Sequence, residues 1–345
     1  LNTGAMTMSI TRPVYPGAPG QDYDNWNFIG NPYPSAVDLS SANIDWNNTI
    51  QQAYFWSPGA GNYLTYIKAG GGTRPGNSPY AASQQGFFVR HDTTSTAATS
   101  FTYNDNSVRT HNTEAFLKEE LADMLYVNVR NAQNEKLDIG VVRFSSETTL
   151  GMDENIDAEK LAGDFDAPQL WFPVPGDKNL IVDVLPWMGI NMTVPLSYSF
   201  SLESNNLIEV SGIDNFKQGT QIFLEDKKLD LMQDLVLNPE YQFTSSPTDN
   251  PARFLLHFTK SAIGIDEKDK GFQIYSFEDY LYVKNLVKGN TYGTVWMYDL
   301  TGRTVFHADL KDFTINKFNP GVNGGYYAVK VITKHGVYTE KVYLQ

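Results

Sequence analysis

The chain has 345 residues, no cysteine, 26 Lys and Arg against 39 Asp and Glu, and a net charge of −13. Zero cysteine excludes disulfides, thiol catalysis, zinc–thiolate sites and iron–sulfur clusters. The acidic balance argues against a nucleic-acid partner and against docking to anionic lipid.

A hydrophobic content of 41% is enough for sizeable cores, and the length suggests two or three domains. No run approaches the ~20 apolar residues of a bilayer-spanning helix, so the chain is expected not to be membrane-spanning. It starts at Leu1 without a basic segment followed by an apolar one. It therefore reads as the later part of a longer protein, or as one whose export signal is gone.

In chain order, residues 1–105 are rich in Gly, Pro, Asn and Trp and poor in charge. Pro32 and Pro34 fix their own φ and hold Asn31 and Tyr33 extended, which predicts a rigid turn series at a sheet edge. Residues 54–56 and 86–90 are short β-branched and aromatic runs, read as strands. Gly70, Gly71 and Gly72, followed by Pro75-Gly76-Asn77, predict a flexible loop. Residues 92–100 form a Thr/Ser/Ala run expected to be an exposed connection.

Residues 106–262 carry more charge and more strand signals, with runs at 124–129, 139–144 and 253–258. This stretch is read as a β-sandwich, either separate from 1–105 or one unit with it. Two weak helical turns are expected, at 113–121 and at 157–161. Arg143 and Arg253 sit inside apolar runs. A guanidinium placed there requires a carboxylate, and Asp226 and Asp157 are the candidates.

A polar link at 266–270 leads to the last unit, 265–345. Residues 294–298 alternate, residues 299–302 turn, and residues 303–306 return, with Gly302 supplying a positive φ. Residues 326–333 and 337–344 form a second predicted hairpin around His335-Gly336. Tyr327, Val329 and Val331 share one face of it, and Ala328, Lys330 and Ile332 the other. The fold class is therefore all-β: a jelly-roll-like β-sandwich region followed by a small immunoglobulin-like β-sandwich.

Three chemistries are open to these residues. Asp153, Asn155 and Asp157 place oxygens on alternate positions, as a calcium loop does, although the Gly and the final Glu of an EF-hand are missing. The plainer alternative is an acidic, solvated turn. Trp26, Trp46, Trp56 and Tyr63 are dense enough for a glycan-stacking surface, with sandwich-core aromatics as the alternative. No local pattern singles out a catalytic pair of carboxylates, a zinc-binding His spacing or a nucleophile elbow. No enzymatic activity is therefore expected. Asp92-Thr93-Thr94 is similar to a short bacterial O-glycosylation sequence.

One resemblance is ordered along the last eighty residues. It runs through Tyr298, Asp299, Gly302 and Arg303, then Gly325, Tyr327, Lys330 and Val331, then Gly336, Lys341 and Val342. These positions resemble the C-terminal sorting domain of the type IX (Por) secretion system of Bacteroidetes, with its D-x-x-G-R hairpin and G-x-Y-x-x-K-V strand. Asn323-Gly324-Gly325 is longer and richer in Gly than the usual approach to that strand.

The earlier runs Trp26–Ala36, Gln85–Val89, Val142–Phe144, Gly151–Asp153 and Phe223–Lys227 resemble the β-rich region that precedes this domain in large surface proteins. The resemblance implies a secreted or cell-surface protein read by the type IX translocon and its shuttle and sortase components. Its first part would be a stalk or adhesion module meeting an extracellular glycan or protein. A carbohydrate-binding module and a glycoside hydrolase are the alternatives.

Overall fold

A computed structural model of the chain describes residues 4–11, 25–92, 99–104, 106–110, 121–187, 191–217, 219–260, 272–277, 279–285, 292–311, 315–333 and 336–344. The polar link at 266–270, the residues Thr93 and Thr94, His335, and all of the expected helix at 113–121 except Leu121 lie outside them. The described residues are all-β and sandwich-type, with three short 3-10 turns and no α-helix. The cause is the period-two pattern. In Glu240–Ser245, for example, Tyr241, Phe243 and Ser245 are buried while the residues between them are exposed.

The chain divides into two compact units. The first comprises Leu1–Trp187, Pro195–Lys217 and Glu240–Ala252. The second comprises Met188–Val194, Gln218–Pro239 and Arg253–Gln345. This division differs from the stretches 1–105, 106–262 and 265–345 read from composition, which follows chain order. The structure follows strand pairing. Thr220–Asp226 pairs with Phe254–Lys260, and this pair groups with the C-terminal strands.

In the first unit, Trp26–Gly30, Gly86–Arg90, Gln52–Ser57 and Asn62–Ile67 form a four-stranded sheet. Alternation sends Ile29, Phe55, Tyr66, Phe87 and Val89 into one core, shared with Val37, Trp46, Phe101 and Tyr103. The other face gives Tyr54 and Ile67 to a second core with Met124, Val141, Val182 and Val184. Those four belong to a larger sheet that contains Gln169–Val174, Lys178–Pro186, Leu137–Ser145, Met124–Asn131 and Ser204–Ser211 in that spatial order. Two apolar layers thus lie on either side of one sheet, which is a sandwich arrangement.

Two expectations need correction. Residues 157–161 do not form a helical turn, because Ala158–Glu159 is a short strand on Lys178–Pro186. Extended pairing prevails there because the Asp157 carboxylate accepts the Val184 N–H at 2.8 Å, which locks this segment to its neighbour. The 70–77 loop is also held rather than loose. Asn77 is buried; its Oδ1 accepts the N–H of Ile67 and of Gly72, each at 3.1 Å, and its Nδ2 donates to the Ile67 carbonyl at 2.8 Å. The turn series at 30–34 behaves as expected. Asn31 is buried and spans it, donating to the carbonyls of Ser35 and Ala82 at 2.8 Å.

In the second unit, Phe272–Phe277, Tyr280–Asn285 and Ile315–Phe318 form one sheet. Thr304–Asp309, Gly293–Tyr298, Gly325–Thr333 and Gly336–Leu344 form another. Ile274, Leu281 and Val283 meet Val295, Met297, Val329, Val331 and Val342 in a shared core. Seven described strands in two sheets match the expected small sandwich. Phe223 and Met232 from the preceding strands form a further cluster with Phe277, Tyr282 and Ile315.

Candidate functional site: a cleft and an aromatic cluster in the first unit

A concavity lies over one face of the larger sheet. Met124 pairs with Arg143, Tyr126 with Val141, and Asn128 with Ile139, so all six side chains share a face. Ser211 joins them opposite Tyr126. Above this face runs the 70–77 loop, and the space enclosed is a cleft of about 680 Å³. That is within the range of small-molecule sites. Its walls include Gly70, Gly71, Leu121, Met124, Tyr126 and Ile139, with Asn128, Ser211 and Asn215 as polar groups.

The glycines have a physical reason. Gly70 and Gly71 hold φ of +99° and +90°, which L side chains avoid, and a Cβ on Gly70 would stand 2.8 Å from Leu121 Cδ1. Bare backbone is what lets the loop close over the sheet. Asn77 then fixes it, so the cleft is preformed.

Arg143 borders this cleft. The point where a Gly71 Cβ would sit is 3.8 Å from Arg143 Nη1, Leu121 Cδ1 and Met124 Sδ. Burial lowers the Arg143 pKa from its ordinary value. The expected carboxylate partner is absent among the described residues: the Arg143 guanidinium makes no hydrogen bond or ion pair with any of them, Asp157 included. Arg253 differs. It is matched by Asp226 as expected, with Nε to Oδ1 at 2.8 Å and Nη2 to Oδ2 at 2.6 Å.

The aromatic candidates separate. Trp46 is 5% exposed and packs edge-on against Phe101 in the core, so it offers no stacking face. Trp26 is half-buried, edge-on to Tyr54 at 4.7 Å. Trp56 and Tyr63 come together at 5.1 Å, and the cluster continues through Phe88 at 5.8 Å to Phe28 at a further 5.0 Å. Phe28 is 67% and Trp56 39% exposed. Phe28 lies directly over Gly86, where any Cβ would collide with its ring. The sequence reading missed Phe28 and Phe88; their register, residue for residue, across Trp26–Gly30 and Gly86–Arg90 was the available signal.

The calcium candidates accept backbone N–H groups, within their loop and from neighbouring segments. Asp153 Oδ2 accepts the Thr149 N–H at 2.6 Å, Asp157 Oδ2 accepts the Asp153 N–H at 2.6 Å, and Asn155 Oδ1 accepts the Gln51 N–H at 2.7 Å. Among the described residues no three acidic or histidine side chains group to hold a metal. The oxygens that a cation would need are committed to backbone donors, so the donor set fits a self-capped turn better than a calcium loop.

Residues 1–258 match a family described as Domain of unknown function (DUF8693). The chain belongs to that family. No curated protein matches it. The DUF8693 region contains the whole cleft, Arg143 and the aromatic cluster.

The residues expected to carry a sorting signal all lie beyond the DUF8693 region. Asp299 organises its hairpin. Oδ1 accepts the N–H groups of Thr301 and Arg303 at 2.9 and 3.0 Å, and Oδ2 accepts Arg303 Nε at 3.0 Å. The Thr301 hydroxyl and these N–H groups hold its carboxyl down at about 2. Gly302 takes φ +83°, as the turn demands. Tyr298 ends the strand that enters this turn. Val331 and Val342 are buried, and the Tyr327 hydroxyl donates to the Asn323 carbonyl at 2.6 Å. Lys330 pairs across to Thr339, and the Lys341 ammonium sits 4.1 Å over the Tyr326 ring. Gly325 and Gly336 open their strands.

Proposed function

We propose that this chain is a non-enzymatic, β-rich part of an exported bacterial surface protein, whose final sandwich acts as a type IX sorting signal. The supporting observation is the placement of the resembling residues. Asp299, Gly302 and Arg303 form one self-bonded hairpin, and Gly325, Tyr327, Lys330 and Val331 lie on the neighbouring strand of the same sheet. One sheet therefore carries the whole ordered set, with Val331 and Val342 in its core and Arg303 exposed at its turn.

The test expresses the full chain behind a general export signal in a type IX-competent Bacteroidetes host and in the same host lacking the translocon. Accessibility to antibody on intact cells is the readout. The expected result is surface exposure only with the translocon. Equal exposure, or equal periplasmic retention, in both hosts would sink the reading.

A second reading, glycan binding by the first unit, rests on the exposed Phe28 and Trp56 beside Tyr63 and Phe88. Aromatic faces beside polar groups are a usual way to hold sugars, and Asp164 lies close enough to Tyr63 to help burial raise its hydroxyl pKa. A glycan array with wild type and Trp56→Ala separates the two: binding lost in the variant supports it, and no binding by wild type removes it.

A further inference from the structure

Beside the cleft over the larger sheet stands a charge that no described side chain answers. Arg143 stands on Leu137–Ser145 beside buried Val142 and Phe144, and its guanidinium reaches the Gly71 wall of the cleft. Half-buried guanidinium groups cost desolvation energy and are ordinarily paired. Arg253, in the same sequence context, is paired bidentately by Asp226, whereas Arg143 has no such partner among the described residues. The other walls at this end are Leu121, Met124, Tyr126 and Ile139. Glu209, an acid on this face, is opposite Asn128 and not Met124. At about 3.3 Å per residue along the strand, it stands roughly 13 Å from the Arg143 end.

We propose that the cleft binds a small monocarboxylate with an apolar body. Its acid group would be seated on Arg143 and its body along Met124, Tyr126 and Ile139. The geometry favours this class for two reasons. A planar guanidinium presents parallel N–H donors that match a carboxylate. The remaining lining near it is apolar, so a highly hydroxylated ligand would leave its own polar groups unpaired at this end. The rigid loop with its bare glycine backbone provides a preformed slot, which lowers the ordering cost of binding.

The test uses the full chain, with decanoate as the probe and decanol as its neutral match, both followed by isothermal titration. Wild type should bind decanoate more tightly than decanol. Arg143→Met should weaken decanoate about tenfold or more, the loss expected for a charged hydrogen-bonded pair, while decanol changes less than about twofold. Ser211→Trp, at an exposed position on the cleft wall, should obstruct both ligands while leaving Arg143 intact. It therefore tests the site even if Arg143→Met unfolds the protein. Three results would each overturn the proposal: no decanoate binding by wild type, equal weakening of both probes by Arg143→Met, or undiminished binding by Ser211→Trp.

Discussion

Substituting Asp183 by Asn should flatten the pH dependence of stability. Asp183 lies on Lys178–Pro186, is 3% exposed, and its carboxylate makes no hydrogen bond or ion pair with a described residue. Burial, helped by the charges of Asp157 and Asp153, pushes its carboxyl from 3.8 up to about 8. Asp157 is fully buried and is pushed up to about 7, again by burial first, while the N–H groups of Asp153 and Val184 pull it down. Each folded value lies above the unfolded one. The stability involved is therefore fully present below about pH 4, and is lost as pH rises through 7 to 8.

For Asp183 the interval from about pH 5.5 to about 8, at about 1.36 kcal/mol per pH unit, gives a loss of about 3 kcal/mol. In D183N that loss should disappear. Urea unfolding of both proteins at about pH 5.5 and about pH 8.5 measures it directly, since the free-energy difference between the proteins must change by about 3 kcal/mol in favour of D183N as pH rises. Parallel pH profiles would show that Asp183 is solvated or paired, and the reasoning would fail.

Other outcomes follow from the same geometry. Removing Arg253 as R253M leaves Asp226 charged and fully buried; the expected cost is about 3–5 kcal/mol by urea unfolding, with the double variant R253M/D226L recovering most of it. Asn77→Ala deletes the side chain that satisfies Ile67 and Gly72, three hydrogen bonds in the described structure, and should cost on the order of 3 kcal/mol and lower Tm. The self-capped turn at Asp153 and Asp157 predicts the same Tm in excess calcium and in chelator. A ligand that binds only the folded state must raise Tm, so a calcium-dependent rise would place a cation there after all.

Much of the fold was legible because strands write themselves in period two. Residues 86–90 and 124–129 were visible as apolar runs, and the Gly302 turn was visible from its glycine. Helical signals were misleading at 157–161. Asp at the start of a short acidic run resembles an N-terminal cap, but its real partner is Val184, 27 residues away. Cleft formation was illegible for a related reason. Gly70 and Gly71 read as freedom, yet their positive φ permits close packing that a distant-looking Asn77 then fixes. Unit boundaries were illegible too. Composition changes along the chain, whereas Glu225 meets His257 on the strand it pairs with and Lys317 on a separate sheet, each at 2.7 Å. Burial opposes the charge on Glu225, and the hydrogen bonds from His257 and Lys317 still bring it down to about 2.

Arg143 and Arg253 turn this into a criterion for function. Both follow or precede large apolar residues, and sequence alone assigns both a structural carboxylate. In the fold, Asp226 stands one strand over from Arg253, and its carboxylate takes two of the guanidinium's donors side by side. Arg253 is thus answered within the protein. Arg143 instead faces Met124 across its pair and the Gly71 backbone beyond, neither of which carries an acceptor side chain suited to a guanidinium. Its donors remain available beside a preformed cleft, and this difference between two similar arginines, rather than any motif, is the basis of the proposed carboxylate site.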